Sequence, residues 1–191
     1  YFMDKNLYSL GLMSGTSMDG IDASIIKSDG EQSVEIIDDL YIKYDDIFRL
    51  ELKKCIDLCK TNNDIKKISK SIKILEKKLT LYHAKVCKLI IKKNKKIKID
   101  LIGFHGQTIL HRPKEGCSKQ IGDSNLLSKI IKTTVVSDFR TNDILNGGEG
   151  APLAPIFHQL IMTLKKIKLP VCVLNIGGIS NITIVKEPMG S

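Results

Sequence analysis

Residues 10–22 read Leu-Gly-Leu-Met-Ser-Gly-Thr-Ser-Met-Asp-Gly-Ile-Asp and lie between two apolar segments. Apolar residues alternate with small or polar ones on both sides of the central glycines, beginning with Leu10 and Leu12. This period of two predicts a β-hairpin with a glycine-rich tip. Such a tip presents backbone N–H groups with little side-chain bulk, which suits the binding of a polyphosphate. An ordinary hairpin turn, in which Asp19-Gly20 is a common pair, explains the same residues.

A second segment repeats this design near the other end of the chain. Residues 171–185 read Val-Cys-Val-Leu-Asn-Ile-Gly-Gly-Ile-Ser-Asn-Ile-Thr-Ile-Val, which is again a strand, a Gly/Ser/Asn turn and a strand. Two similar hairpins far apart in one chain indicate an internal duplication. Between them, the patterns predict a third strand, a long helical region, a strand, a helix, a strand and a helix. This order is typical of an α/β fold.

The helical region carries the clearest periodicity in the chain. From Ile65 to Leu89, apolar residues recur at alternating spacings of three and four, which is the buried stripe of one long amphipathic helix. A coiled-coil seam has similar spacing, but a single helix packed on a domain is the commoner arrangement. Shorter patterns predict a strand at 99–104, a helix capped by Asp123, a strand at 133–136, and a helix whose first turn holds Pro152 and Pro155.

Composition bounds the class of protein. The chain has 191 residues, 42% of them hydrophobic, without an apolar run of membrane length, so we expect a soluble protein with one domain and part of another. The start of the chain shows no signal-peptide pattern. The five cysteines are scattered, and Cys55 and Cys59 share a helix face, where buried thiols are commoner than a metal site. These features predict a reduced, cytoplasmic setting.

The formal net charge of +9 raises the question of a nucleic-acid partner. Nearly all the cationic residues are lysines, and they crowd into residues 43–98 on the polar faces of the predicted helices. Aromatic residues do not interleave with them as stacking platforms would, and tryptophan is absent. The pattern therefore favours a solvated, lysine-rich helix surface over nucleic-acid binding.

Three further polar segments lie at the ends of predicted strands or open predicted helices, where α/β proteins place their sites. They cover residues 103–108, 120–125 and 137–153. Each also has an ordinary structural interpretation: His105 as a buried, hydrogen-bonded imidazole, Asp123 as a helix cap, and Arg140–Asp143 as a local ion pair. Because these segments join the first hairpin tip as four such loops in one chain, a shared cleft is the better explanation.

Together, six segments resemble the anhydro-N-acetylmuramic acid kinase family, and they occur in the family's order over nearly the whole chain. They are Gly11–Asp22, His105–Thr108, Gln120–Asp123, Asp138–Arg140, Gly147–Leu153 and Leu174–Asn181. The resemblance implies the fold of the sugar kinase, Hsp70 and actin superfamily, in which two ribonuclease-H-like domains close around ATP. Residues 1–169 would form the first such α/β domain, a mixed sheet flanked by helices. Residues 170–191 would form the opening hairpin of the second.

The resemblance also implies a reaction. In this family, water opens the 1,6-anhydro bridge of anhydro-N-acetylmuramic acid, and the freed O6 takes the γ-phosphoryl group of ATP. Such transfers normally use Mg²⁺ to bridge the phosphates. The product, N-acetylmuramic acid 6-phosphate, belongs to the recycling of bacterial peptidoglycan in the cytoplasm. No nucleic acid or membrane takes part, and a homodimer is compatible with this reading.

Site residues follow from the matching positions. The family's ATP segment falls on Gly15, Thr16, Ser17, Met18, Asp19, Gly20, Ile21 and Asp22, and Asn175, Gly177 and Gly178 would form a second phosphate loop. The candidates for the sugar and metal cleft are His105, Gln107, Asp123, Asp138, Arg140 and Glu149.

No residue of the chain matches the catalytic base of the family. That base is an Asp in an Asp-Thr-Gly-Pro-Gly-Asn motif downstream of the second hairpin, where it activates the attacking water. The sequence reaches Ser191 without this motif. We therefore expect residues 1–191 to be an inactive N-terminal portion of the kinase. The alternative, from a different functional class, is a non-catalytic ATP- or sugar-binding module of the same fold.

Overall fold

The structure is a computed structural model of the chain, and it describes residues 6–176 and 180–190. The strands are β1 Leu7–Ser14, β2 Gly20–Ser28, β3 Val34–Lys43, β4 Leu101–Arg112, β5 Cys117–Ile121, β6 Thr134–Ser137, β7 Val171–Asn175 and β8 Asn181–Val185. The helices are α1 Asp46–Leu58, α2 Asn62–Lys67, α3 Ser69–Lys93, α4 Ser124–Ile131, α5 Thr141–Leu145 and α6 Pro155–Leu164, with a short 3-10 turn at Pro113–Glu115.

Six strands form one mixed sheet in the order β3-β2-β1-β4-β5, with β6 also paired to β4. The first three strands are antiparallel neighbours, whereas β1 and β6 each run parallel to β4. Phe104 of β4 lies between Leu12 of β1 and Ser137 of β6. Because these three strands are parallel, the carboxyl ends of β1 and β6 lie together against the middle of β4, which continues to Arg112. The predicted α/β class, with a mixed sheet flanked by helices, is confirmed.

Helices α1, α3 and α4 bury one face of the sheet. Leu10, Ile21 and Ile102 from the strands and Leu79 and Leu127 from the helices have no exposed surface and belong to one core cluster. Alternation along β1 and β2 puts every second side chain on this face, as the sequence predicted. Burial of these aliphatic side chains is the main source of the domain's stability.

The predicted long helix is packed on the domain as expected, but it is not continuous. Thr61 caps α2 through a reciprocal capping box with Asp64, and the helix then breaks at Ile68, whose backbone leaves the helical region. The buried stripe runs on through α3 and ends at Ile90 rather than Leu89, which is 42% exposed. The predicted spacing of the buried apolar residues is therefore confirmed, whereas the prediction of one continuous helix is wrong.

The structure adds the strand β5, which the sequence did not predict. The strand predicted at 99–104 continues to Arg112, and β5 folds back antiparallel onto its second half. Gly106 makes this close approach possible, since its φ is +69° and an added Cβ would collide with the carbonyl oxygen of Ile121. The prediction that the polar segment 103–108 follows the strand is therefore wrong, because these residues lie within β4.

The second hairpin, β7 and β8, forms a separate two-stranded sheet. Helix α6 is bonded to it: His158 Nδ1 lies 2.9 Å from Thr183 Oγ1, and the backbone N–H of Met189 donates to Thr163 Oγ1 at 2.8 Å. The domain boundary between 169 and 170 stays a prediction. These hydrogen bonds instead favour grouping α6 with the hairpin that follows it.

The helix surfaces agree with two expectations drawn from composition. Lysines of α3 such as Lys77 and Lys92 are exposed, whereas the thiols of Cys55 and Cys59 are buried and free. Burial raises the pKa of Cys55 to about 12, which keeps the thiol protonated. Across the described residues, no helix combines the length and the apolar character that crossing a membrane requires.

His83 is a wholly buried imidazole on α3, packed edge-on against Phe104 with ring centroids 4.9 Å apart. Its Nδ1 lies 2.9 Å from the carbonyl oxygen of Leu79, which can only accept, so Nδ1 carries the hydrogen. Nε2 has no hydrogen-bond partner within the described part of the chain. Burial lowers the pKa of His83 from 6.5 to about 4, so the core holds the neutral ring.

This histidine should make the domain sensitive to mild acid. We expect the free energy of unfolding to fall by about 2 kcal/mol between about pH 7 and pH 5, because His83 becomes protonated in the unfolded state while the buried ring stays neutral. Urea unfolding at both pH values measures the loss. In His83→Gln most of it should disappear, leaving the smaller contributions of His105 and His111, whose pKa values burial also lowers. An equal pH dependence in both proteins would exclude His83 as the cause.

Candidate functional site

The predicted phosphate turn joins β1 to β2 where β1 ends against the middle of β4. Gly15 is half-buried, and Thr16 and Ser17 are exposed. The N–H of Met18 donates to the carbonyl oxygen of Gly15 at 3.1 Å, and Ser17 Oγ donates to Asp19 Oδ1 at 2.7 Å. The tip is therefore a defined turn with small, accessible residues, as phosphate binding by backbone N–H groups requires.

Packing alone explains the residue type at two of the eight predicted ATP contacts, Gly20 and Ile21. Ile21 is wholly buried in the core, so its side chain is not available to a ligand. A Cβ at Gly20 would collide with the carbonyl oxygen of Ile42 and lie 2.7 Å from the ring of Tyr41. The close approach of β3 thus explains the glycine. Any contact of these two residues with ATP has to use backbone atoms.

A buried hydrogen-bonded chain supports the turn from below. Ser14 Oγ donates to Gln107 Oε1 at 2.6 Å and accepts from the Tyr44 hydroxyl at 2.8 Å, and all three side chains are buried. The backbone N–H of Tyr44 also donates to the carbonyl oxygen of Asp19 at 2.9 Å. Burial raises the pKa of Tyr44, which keeps its hydroxyl protonated as a donor.

These hydrogen bonds change the role that we assign to Gln107. As a sugar ligand it stays a prediction, but its side chain has no exposed surface and is bonded to Ser14. Its contacts instead favour a role in holding β4 against the end of β1, directly under the turn. Tyr44, which follows β3 and is hydrogen-bonded to Ser14, was not predicted as part of the site.

Asp22 is exposed on the opposite face of the sheet, where a groove of about 820 Å³ separates the strands from the start of α6. The groove is lined chiefly by nonpolar residues, among them Met13, Leu40 and Phe157. Burial raises the pKa of Asp22, and the nearby charge of Asp19 adds to the rise. Two neighbouring carboxylates of this kind suit a hard cation such as Mg²⁺, which usually takes only one or two from the protein.

A second, polar cleft of about 300 Å³ opens beside the middle of β4 and the carboxyl end of β6. It brings together two predicted site residues, His105 and Asp138, although 33 positions separate them in sequence. The other polar side chains lining it are Glu76 of α3, Ser118, Lys119 and Gln120 of β5, Ser137 of β6 and Thr141 of α5. The three polar segments at 103–108, 120–125 and 137–153 thus each contribute to this cleft, whereas no residue of the first hairpin tip lines it, so the cleft predicted for all four loops stays a prediction.

Arg140 is not among the residues that line this cleft, but two hydrogen bonds orient it, one of them to the cleft residue His105. Its Nε donates to His105 Nε2 at 2.9 Å, and its Nη1 donates to the carbonyl oxygen of Gly150 at 2.9 Å. His105 Nδ1 lies 2.8 Å from the carbonyl oxygen of Gly106, so the ring is neutral and carries its hydrogen there. Burial lowers the pKa of His105, and the charge of Arg140 adds to the effect. Both ring nitrogens are thus occupied, as the structural interpretation predicted.

The predicted acidic residues of the cleft have different environments. Asp138 is exposed and accepts from Thr141 Oγ1 at 2.6 Å. Asp123 caps α4 by accepting from the N–H of Leu126 at 2.8 Å, which confirms the helix-cap interpretation. Glu149 is exposed and is not among the residues that line the cleft.

The local ion pair considered for Arg140–Asp143 is wrong. Among the described residues, Arg140 takes part in no ion pair. Both side chains instead bond to Gly150: Arg140 to its carbonyl oxygen, and Asp143 Oδ2 to its N–H at 2.7 Å. Gly148 passes so close to the Asp143 carboxylate that a Cβ there would collide with it. The glycine-rich loop is folded around these two side chains.

Comparison with known proteins matches residues 7–190 to the family described as anhydro-N-acetylmuramic acid kinase. The chain belongs to this family. The resemblance found in the six sequence segments is thereby confirmed, and the family's sugar kinase and actin-like fold agrees with the mixed sheet flanked by helices.

Named members of the anhydro-N-acetylmuramic acid kinase family are similar over almost the whole chain. The kinase of Pelagibacter ubique (strain HTCC1062) is 56% identical over 183 residues, which are 96% of this chain and 48% of that protein. Those of Rhizobium johnstonii and Gluconobacter oxydans are 40% and 41% identical over 186 residues, or 96% of this chain and 50% of each protein. The chain thus spans about half the length of the curated relatives it matches.

The second phosphate loop predicted for this family member is only partly described. Asn175 is exposed at the end of β7. Gly177 and Gly178 lie outside the described residues, so their role as ATP contacts stays a prediction.

Sequence reasoning missed Glu76 as a cleft residue. The helical segment that carries Glu76 contains none of the six segments that resemble the kinase family. One signal was nevertheless present, because Glu76 is the only acidic residue between Asp64 and Asp100, in a segment rich in lysine. An isolated carboxylate among so many cations could have been singled out.

Proposed function

We propose that this chain supplies the first domain of an ATP-dependent kinase that opens the 1,6-anhydro bridge of anhydro-N-acetylmuramic acid and phosphorylates O6. The observation that carries the proposal is the place where β1 and β6 end. The phosphate turn follows β1, and the polar cleft lies at the end of β6 beside Phe104 and His105; β1 and β6 both end against the middle of β4. Phosphoryl transfer needs two such sites side by side, one for the nucleotide and one for the acceptor.

On the nucleotide side, the proposed ATP contacts are the backbone N–H groups at Gly15, Thr16 and Ser17. ATP would supply the phosphoryl group, and Mg²⁺ would bridge its phosphates with Asp19 or Asp22 as protein ligands. Ser14 and the side chains bonded to it would keep the turn in position. Rigid support of this kind reduces the entropy lost when the phosphates bind.

On the acceptor side, the sugar would occupy the polar cleft. Its hydroxyl and acetamido groups suit the hydrogen-bonding side chains there, and Asp138 is the predicted carboxylate ligand that is both exposed and part of the cleft wall. The muramic acid carboxylate would pair with Arg140, whose guanidinium is already fixed by His105 and Gly150. Neutral His105 serves this purpose, because a protonated ring could not accept from Arg140.

The proton of the attacking water needs a base. None of residues 1–191 matches the family's Asp, so we assign this role to the remainder of the kinase. The setting that we propose is peptidoglycan recycling in the bacterial cytoplasm, with a homodimer as the assembly to test. A non-catalytic ATP- or sugar-binding module of the same fold is the second candidate.

Incubation of the full-length kinase with ATP, Mg²⁺ and anhydro-N-acetylmuramic acid in ¹⁸O-labelled water tests the proposal. We expect N-acetylmuramic acid 6-phosphate carrying one ¹⁸O at C1, because water opens the bridge and the freed O6 receives the phosphoryl group. Binding of ATP and sugar without any phosphosugar would favour the non-catalytic module. ATP hydrolysis that does not depend on the sugar would contradict both.

A further inference from the structure

Glu76 places a carboxylate from the long helix into the polar cleft. The residue is half-buried on α3 and lines the same cavity as His105 and Asp138. Its Oε1 accepts a hydrogen bond from the backbone N–H of Gly122 at 3.0 Å. The side chain is therefore held by the turn between β5 and α4.

A second contact one helical turn further on fixes this arrangement. Thr80 Oγ1 donates to the carbonyl oxygen of Glu76 at 2.8 Å and accepts from the N–H of Asp123 at 3.0 Å. Consecutive backbone N–H groups of the β5–α4 turn are thus bound by two side chains of α3. The position of Glu76 relative to the cleft is set by backbone contacts and not by a flexible loop, as precise ligand binding requires.

The charge of Glu76 has no protein partner. The ion pairs found among the described residues do not include it, and Oε2 forms no hydrogen bond with any of them. The lysines that surround it in sequence, such as Lys73 and Lys77, are exposed on the outside of the helix. A half-buried carboxylate oxygen without a partner, on the wall of a polar cavity, is available to a ligand that donates hydrogen bonds.

We propose that Glu76 is a sugar-binding residue of the cleft, with its free oxygen accepting a hydrogen bond from a hydroxyl or the acetamido N–H of the acceptor. The inference rests on the proposed kinase function and adds to it a specificity contact from the segment 45–98. Carboxylates are strong acceptors for such neutral donors, because the bond is charge-assisted. A ligand without these donors would leave the oxygen desolvated and unpaired, so the contact also discriminates between substrates.

The test compares Glu76→Gln with wild type in the full-length kinase. The glutamine oxygen can still accept from Gly122, so the docking of α3 is kept while the charge is lost. We expect the KM for anhydro-N-acetylmuramic acid to rise about tenfold, with the KM for ATP and the melting temperature unchanged. Glu51→Gln is the matched control, since Glu51 pairs with Lys78 at 2.7 Å outside the cleft and should leave both KM values unchanged.

The outcomes separate the two proposals. Wild-type turnover, measured first, tests the kinase function, and only the difference between variant and wild type tests Glu76. An unchanged sugar KM in Glu76→Gln would overturn the inference, as would an equal rise of both KM values with a lower melting temperature, which indicates a purely structural role. Glu76→Ala, which also frees the N–H of Gly122, should show the same selective rise in sugar KM together with a lower melting temperature.

Discussion

Gly15→Val should lower kcat/KM for ATP in the full-length kinase by about a hundredfold or more while leaving the domain folded. An added Cβ at this position would lie 3.6 Å from Ser17 Oγ, which is an ordinary van der Waals contact, so the turn has room for a side chain. The two valine methyl groups would then occupy the space through which phosphate must approach the backbone. Steady-state kinetics with varied ATP, alongside a thermal unfolding curve, measure both effects.

Gly20→Val is the control for this experiment. Its side chain would collide with the backbone of Ile42, so we expect this variant to be destabilised and not selectively impaired. A folded Gly15→Val enzyme with the ATP kinetics of wild type would remove the turn from the nucleotide site.

Leu79→Ala should destabilise the domain by about 2–5 kcal/mol, the usual cost of deleting a large aliphatic side chain from a packed core. Leu79 is fully buried on α3, in the middle of the stripe that faces the sheet. Urea unfolding of the purified chain measures the change, and Lys77→Gln on the exposed side of the same helix is the matched control. A loss below about 1 kcal/mol would mean that α3 is not packed as described.

The elements that the sequence predicted well are those with a strong local signal. The hairpin at residues 10–22 and the stripe on α3 follow from periods of two and of three to four, which burial of one face imposes. The strand β5 lacked such a signal, because its five residues are mostly polar and only the last, Ile121, is fully buried. The break at Ile68 was equally hidden, since an apolar residue in register with the stripe fits either a continuous or an interrupted helix.

The site was predictable only in part, for a related reason. The motif residues His105 and Asp138 converge because the parallel strand β6 ends beside the middle of β4, where His105 lies. Tyr44 and Glu76 carry no motif, and they reach the site through pairings between segments distant in sequence. Gln107 shows the converse: its motif position is close to the site, yet its side chain is buried beneath the turn. Which way a side chain faces depends on register, which the sequence did not specify.

We propose above all that the Gly15–Asp22 turn binds the phosphates of ATP beside the sugar cleft. A crystal structure of the full-length kinase with a non-hydrolysable ATP analogue, Mg²⁺ and anhydro-N-acetylmuramic acid tests it most directly. We expect phosphate oxygens within about 3 Å of the backbone nitrogens of Gly15, Thr16 or Ser17, and the sugar between His105 and Asp138. Phosphates bound away from this turn, or a sugar outside the cleft, would contradict the account.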